Sequence, residues 1–217
     1  MIERQTWTTY NAAQSEEKHR FVELLADLCS TVPQPPQHGK GRPRLPLSDI
    51  VFASVYKVYV GFSARRFTSD LRDAFVGGHV DSTPHFNSVN RYLSDPQLAS
   101  VLKELITVSS LPLKAVETDF AVDSSGFSTS RFVRWFNKKY GREVDNREWV
   151  KVHKRSNIET AYSMIKGKFG SAIRSKSDTG QINEALCKVL AHNICVLIQA
   201  MHALNIHPIF SAKPLVP

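Results

Sequence analysis

Cysteine, acidic residues in the second half and uninterrupted apolar runs are all scarce in this 217-residue sequence. Only Cys29, Cys187 and Cys195 occur, scattered and odd in number, which argues against a disulfide framework and favours a reducing, intracellular setting. Cys187, His192 and Cys195 could be imagined as metal ligands, but they lack a C-x-x-C pair and sit in a strongly apolar segment, the composition of a core helix. The first residues, M-I-E-R-Q-T-W, contain no apolar signal region. The most apolar run, 186–204, is interrupted by Lys188, His192, Asn193 and Gln199, a pattern that reads as a buried helix and not a membrane span. These absences point to a cytoplasmic protein with no membrane partner.

What is present is positive charge, unevenly placed. The net charge is +8. Residues 1–110 hold 12 Lys and Arg against 11 Asp and Glu, whereas residues 111–217 hold 16 against 9. Within 131–176 the balance is 13 basic to 4 acidic, dense enough for a phosphate-binding surface, although a solvated face has the same composition.

Along the chain, 15–30 reads as an amphipathic helix with Phe21, Leu24, Leu25 and Leu28 at helical spacing. A linker at 31–46 follows, with five of the eleven prolines. Inside it K-G-R-P-R places Arg42 and Arg44 around a Gly-Arg-Pro core, resembling the extended minor-groove arms that lay arginines into A·T tracts; a plain basic linker reads the same way. Ser48 is positioned to cap a helix reaching Val60, and Ser63 a second one carrying Phe67, Leu71 and Phe75. Thr83-Pro84 opens a third, with Val89, Tyr92 and Leu93 inward and His85, Asn87, Asn90 and Arg91 outward. Asp95-Pro96 opens a fourth, to about Val108. Short helices with an exposed Asn and Arg face fit a helix-turn-helix arrangement, and equally a helical bundle with a wet surface.

After 111 the texture changes. The run V-E-T-D-F-A-V-D at 116–123 reads as a strand with Asp119, Ala121 and Asp123 on one face. Phe132, Trp135, Phe136 and Tyr140 then alternate with Arg131, Arg134, Lys138 and Lys139, a texture suited to stacking on bases and clamping phosphates, or to a core with snorkelling neighbours. The run E-W-V-K-V-H at 148–153 has strand alternation and passes, without a turn residue, into the helical run K-R-S-N-I-E-T-A-Y-S-M-I-K-G-K-F-G. In that helix Ile158, Tyr162, Ile165 and Phe169 form a core stripe, and Arg155, Glu159 and Lys166 lie together on the adjoining face. Ser156 and Glu159 also have the spacing of a capping box.

Three segments, A-V-D-S-S-G-F at 121–127, the 154–170 run and A-H-N-I-C-V-L-I at 191–198, resemble the DDE-type transposases of prokaryotic insertion sequences. The spacing Arg155, Glu159, Lys166 is the most specific part of the resemblance. It implies an α+β, mainly helical chain: a helical, helix-turn-helix-like DNA-binding region at 1–110, then a ribonuclease-H-like catalytic domain at 111–217. It further implies Asp123 and Glu159 as catalytic, metal-holding carboxylates for Mg2+ or Mn2+, with Arg155 and Lys166 supporting them. DNA contacts are expected from Arg42, Arg44, Asn87, Asn90, Arg91, Arg131, Arg134 and Lys138, and the partner is double-stranded DNA at transposon termini.

The departures from the family pattern locate a deletion. Val152 stands where the family signature begins with Tyr, and only 35 residues separate Asp123 from Glu159, leaving no position for the second catalytic aspartate. His153 ends one run and opens the next, so the junction falls beside it. The expected result is an incomplete ribonuclease-H-like domain with impaired catalysis, whose C-terminal helices lose the sheet they should cover. Self-association, interference with an intact transposase, and general nucleic-acid binding all follow as possible outcomes.

Overall fold

The computed structural model describes residues 7–36, 44–113 and 155–211, and of 155–160 the backbone alone. The described residues are mainly helical, with no β-strand among them. Among the described residues the helices are α1 (Trp7–Ser30), α2 (Leu47–Val60), α3 (Phe67–Val76), α4 (Phe86–Leu93), α5 (Pro96–Ser110), α6 (Arg155–Phe169) and α7 (Asp178–Leu204), with a 3-10 turn at Leu111–Leu113 after α5. The strands expected at 116–123 and 148–153, and the junction at His153, lie outside the described residues.

The hub of the fold is α7. It packs against α1, α2 and α5, and more lightly against α4 and α6. Leu190, Ile194, Leu197 and Ile198 of α7 are fully buried against Phe21, Leu25 and Leu28 of α1, Val51 and Val55 of α2, and Leu102 of α5. Each such side chain contributes about 1.5–3 kcal/mol by leaving water. The last helix therefore shares one core with the first, and it finds helices to cover where a sheet was expected. Length and composition would let α7 cross a membrane, yet it carries buried Asn183, Glu184 and Lys188, each bonded to neighbouring segments.

Several helix starts differ from the sequence reading. α1 begins at Trp7, eight residues before Ser15. At α2, Ser48 lies inside the helix and Pro46 holds the cap position; the Gln34 side-chain oxygen accepts the Leu47 N–H at 2.6 Å instead. In α3 the buried set is Phe67, Asp70, Leu71 and Ala74, and Phe75 is 47% exposed, a rotation of the helix by a fraction of a turn. Thr83-Pro84 does not open α4. Asp49 of α2 accepts the Asp81 N–H at 3.2 Å and the Ser82 hydroxyl at 2.6 Å, which keeps this connection extended, and His85 becomes the cap. Asp95-Pro96 opens α5 as expected, the Asp95 carboxylate accepting the Gln97 N–H at 2.9 Å. Arg155 already belongs to α6, so Ser156 lies within the helix and not ahead of it.

Candidate nucleic-acid interface

α4 is the element on which the expected base-reading residues sit. It is a strongly two-sided helix of 8 residues, with Val89 and Leu93 buried and Asn87, Asn90 and Arg91 exposed, as the spacing required. At its start the His85 Nδ1 accepts the Asn87 N–H at 3.3 Å, and the His85 and Phe86 rings lie 4.1 Å apart. At its end Asn183 of α7, fully buried, donates its amide to the Leu93 carbonyl at 2.8 Å and the Asp95 carbonyl at 2.9 Å. The first bond satisfies a carbonyl that the end of α4 leaves open, the second adds to a carbonyl that already accepts the Leu98 N–H, and together they bolt the α4–α5 corner to the hub. Among the described residues the Asn183 side-chain oxygen has no partner, and the amide orientation is set by its two donated bonds.

Arg44 and Arg91, expected from two different parts of the sequence, line one groove of about 960 Å³ between the proline-rich linker, α4 and α5. Tyr92, Gln97 and Ser100 line it too, over an apolar floor that includes Leu98 and Val101. Both arginines are exposed, and the Arg91 guanidinium lies 5.5 Å from the centre of the Tyr92 ring. Asp95 and Glu104 also line the groove, so its charge is balanced. Arg42 lies outside the described residues, as do Arg131, Arg134 and Lys138.

The catalytic expectations fall largely outside as well. Asp123 is not among the described residues. Arg155 and Glu159 lie in the first turns of α6, one helical turn apart, with only their backbone described. Lys166 is half-buried, its ammonium 5.8 Å from the centre of the Tyr162 ring. Ile165 is buried in the expected stripe, and Phe169 packs on Tyr59 of α2 with ring centres 6.4 Å apart. Among the described residues no group of three or more His, Cys, Asp or Glu is placed to hold a metal ion. Cys187 and Cys195 are buried, and burial pushes both thiols up. His192 is held below its ordinary value by burial and by nearby Lys168.

No protein-family model, curated protein or solved structure matches this chain.

Two polar junctions were not legible in the sequence. Glu17 of α1, 8% exposed, accepts the Tyr59 hydroxyl at 2.9 Å and pairs with Lys168 of α6. This pairing docks the C-terminal end of α6 on the bundle. Glu184 of α7 accepts the Arg174 and Ser175 backbone N–H groups and the Ser175 hydroxyl, at 2.7–3.1 Å. One turn further, Lys188 donates to the Gly170 and Ala172 carbonyls at 2.7 and 3.0 Å. Both partners sit more than one helix away in sequence from the cation or carboxylate they meet, or on connections with no motif, so no local spacing marks them.

Proposed function

We propose that this chain is a double-stranded-DNA-binding protein of DDE-transposase descent whose strand-cleaving chemistry is impaired. The observation that carries the reading is the exposed Asn87, Asn90 and Arg91 face of α4, held rigid by its buried Val89 and Leu93 and by Asn183. Asn and Arg are the side chains that pair bidentately with adenine and guanine edges in the major groove. Arg44 on the adjoining groove adds a cation suited to the sugar-phosphate backbone. The terminal repeats of an insertion sequence are the DNA that the resemblance implies, and the prokaryotic nucleoid the setting.

For the catalytic part, the spacing of Arg155, Glu159 and Lys166 supports the family reading, as does the Asp123 strand motif. In this reading the ribonuclease-H-like domain is incomplete, and Mg2+ or Mn2+ would rest on Asp123 and Glu159 alone. Two hard cations in a phosphodiester clamp need more carboxylate oxygens than that pair supplies. The protein then occupies transposon ends without cutting them, and competes there with an intact relative.

Duplex binding tests this. Fluorescence anisotropy at about 50 and 200 mM salt should show affinity falling by orders of magnitude, through counterion release. Alanine at Asn87 and Asn90 should flatten the preference among duplex sequences. Micromolar or weaker binding that ignores ionic strength overturns the proposal.

A further inference from the structure

Three stretches far apart in the sequence contain no acidic residue: 61–66 (G-F-S-A-R-R), 85–94 (H-F-N-S-V-N-R-Y-L-S) and 170–177 (G-S-A-I-R-S-K-S). The fold joins them into a closed circuit. The Arg174 guanidinium donates to the Gly61 carbonyl at 2.7 Å, tying the α6–α7 connection to the end of α2. The Ser177 and Ser94 hydroxyls lie 2.9 Å apart, tying the same connection to the end of α4. Arg65 completes the circuit, its guanidinium 5.4 Å from the centre of the Phe86 ring at the start of α4. The α2–α3 connection thus flanks the beginning of α4, and the α6–α7 connection runs from the end of α2 to the end of α4.

Arg65, Arg66, Arg91, Arg174 and Lys176 are all exposed on this circuit, and none forms an ion pair among the described residues. Elsewhere cations do pair, as exposed Lys18 does with Asp70 and half-buried Arg20 with Glu16 and Glu23. Here three arginines lie over aromatic rings instead: Arg65 over Phe86, Arg66 over Phe62 at 6.0 Å, and Arg91 over Tyr92. A guanidinium stacked on a ring keeps its charge and its fork of donors, which suits a phosphate. The acids beside the circuit include Asp95, whose carboxylate caps α5, Asp178 in the first turn of α7, and Glu184, which is buried with its carboxylate taken up by the Arg174 and Ser175 backbone N–H groups. At 1.5 Å per residue the α4 helix is about 12 Å long, comparable to the width of a major groove.

We propose that Arg65, Arg66, Arg174 and Lys176 are the phosphate-contacting residues of a duplex-DNA surface centred on α4. This rests on the DNA-binding reading above and assigns it four residues that no sequence motif marks. α4 presents its Asn and Arg face to the base edges, and the two connections grip the backbone on either side of it. Phosphate contacts of this kind set register and orientation without reading sequence.

The experiment is the salt dependence of duplex affinity for the full chain and four variants. Each lost phosphate contact lowers the slope of log affinity against log salt by about 0.9. R65Q/R66Q should therefore lose roughly 2 from the slope, K176Q roughly 1, and both should weaken binding equally for every duplex sequence. R65K/R66K, which keeps the charge, should restore most of the slope, separating a phosphate role from a loss of fold. R20Q/K103Q, two cations on α1 and α5 outside the circuit, should leave the slope unchanged. A steep slope in the parent that neither R65Q/R66Q nor K176Q alters overturns this assignment and leaves DNA binding intact. A parent with no salt-dependent binding overturns the DNA-binding reading as well.

Discussion

Replacing Glu184 by Ala should destabilise the protein by about 4 kcal/mol, far more than a typical surface substitution. Glu184 is 4% exposed and accepts the Arg174 and Ser175 N–H groups and the Ser175 hydroxyl. Hydrogen bonds to an ionised acceptor contribute about 1.5–3 kcal/mol each, and those at Arg174 are discounted because that residue is exposed. The substitution also removes the negative charge near Lys188, which is 2% exposed and whose ammonium burial already holds below its ordinary value. Lys188 keeps its bonds to the Gly170 and Ala172 carbonyls but loses a nearby opposite charge, which adds to the cost. For a chain of this size about 4 kcal/mol corresponds to a fall in Tm of roughly 8–16 °C. Urea titration of Glu184→Ala and Glu184→Gln measures it, and the amide should recover about half of the loss because one acceptor oxygen remains. Hydrogen exchange should speed up at the Arg174 and Ser175 amides in particular. A loss below about 1 kcal/mol would refute the argument, because the carboxylate would then be exchanging its bonds for water at no cost.

The thiols of Cys29, Cys187 and Cys195 are all buried and pushed up by that burial, Cys195 to about 12, so none should react with a disulfide reagent near pH 8 until the protein unfolds. Rapid labelling of native protein would contradict the packing of α7. His192 is held below its ordinary value of 6.5 by burial and then by Lys168. The unfolded chain takes up that proton first, so this contribution is complete above about pH 6.5 and is lost as pH falls toward the folded value. The acid-side drop in urea midpoint should shrink in His192→Gln, and an unchanged drop would place the titration elsewhere. Under the proposed function, nicking of a transposon-end duplex in Mg2+ or Mn2+ should be absent or very feeble, since the resemblance assigns only Asp123 and Glu159 as metal carboxylates. Robust cutting abolished by Asp123→Ala and Glu159→Ala would show that an acid between them completes the carboxylate set and that the proposed impairment is wrong. Glu159→Gln should leave stability within about 1 kcal/mol of the parent, the centre of the range for point substitutions; a larger loss would make Glu159 a structural residue.

Much of what is local was legible. Asp95-Pro96 marked the start of α5, because a cap and a φ-restricted first residue act within one turn. The inward Val89 and Leu93 and outward Asn87, Asn90 and Arg91 of α4 followed from its period alone. The Leu, Ile and Val content of α7 announced burial despite its interrupting polar residues. Helix starts were less legible where a distant side chain supplies the cap: Gln34 serves α2 from across the linker, and Asp49 keeps 81–82 extended so that His85, not Thr83, begins α4. The expectations on Asp123, Arg131, Arg134 and Lys138 fall on residues outside those described.

The sequence by itself determined which segments are helical, which face of each is apolar, and where positive charge is in excess, because propensity, periodicity and capping depend on neighbours within about four residues. Only the tertiary structure decided what those faces meet. An apolar stripe says that α7 is buried but not against what, and here it is α1, α2 and α5 that surround it. The same packing brought Lys168 to Glu17, Arg174 to Gly61 and Ser177 to Ser94, across separations of 151, 113 and 83 residues. No local interaction encodes such pairs. They follow from the single arrangement in which every helix buries its apolar face at once, and the basic circuit around α4 exists only in that arrangement.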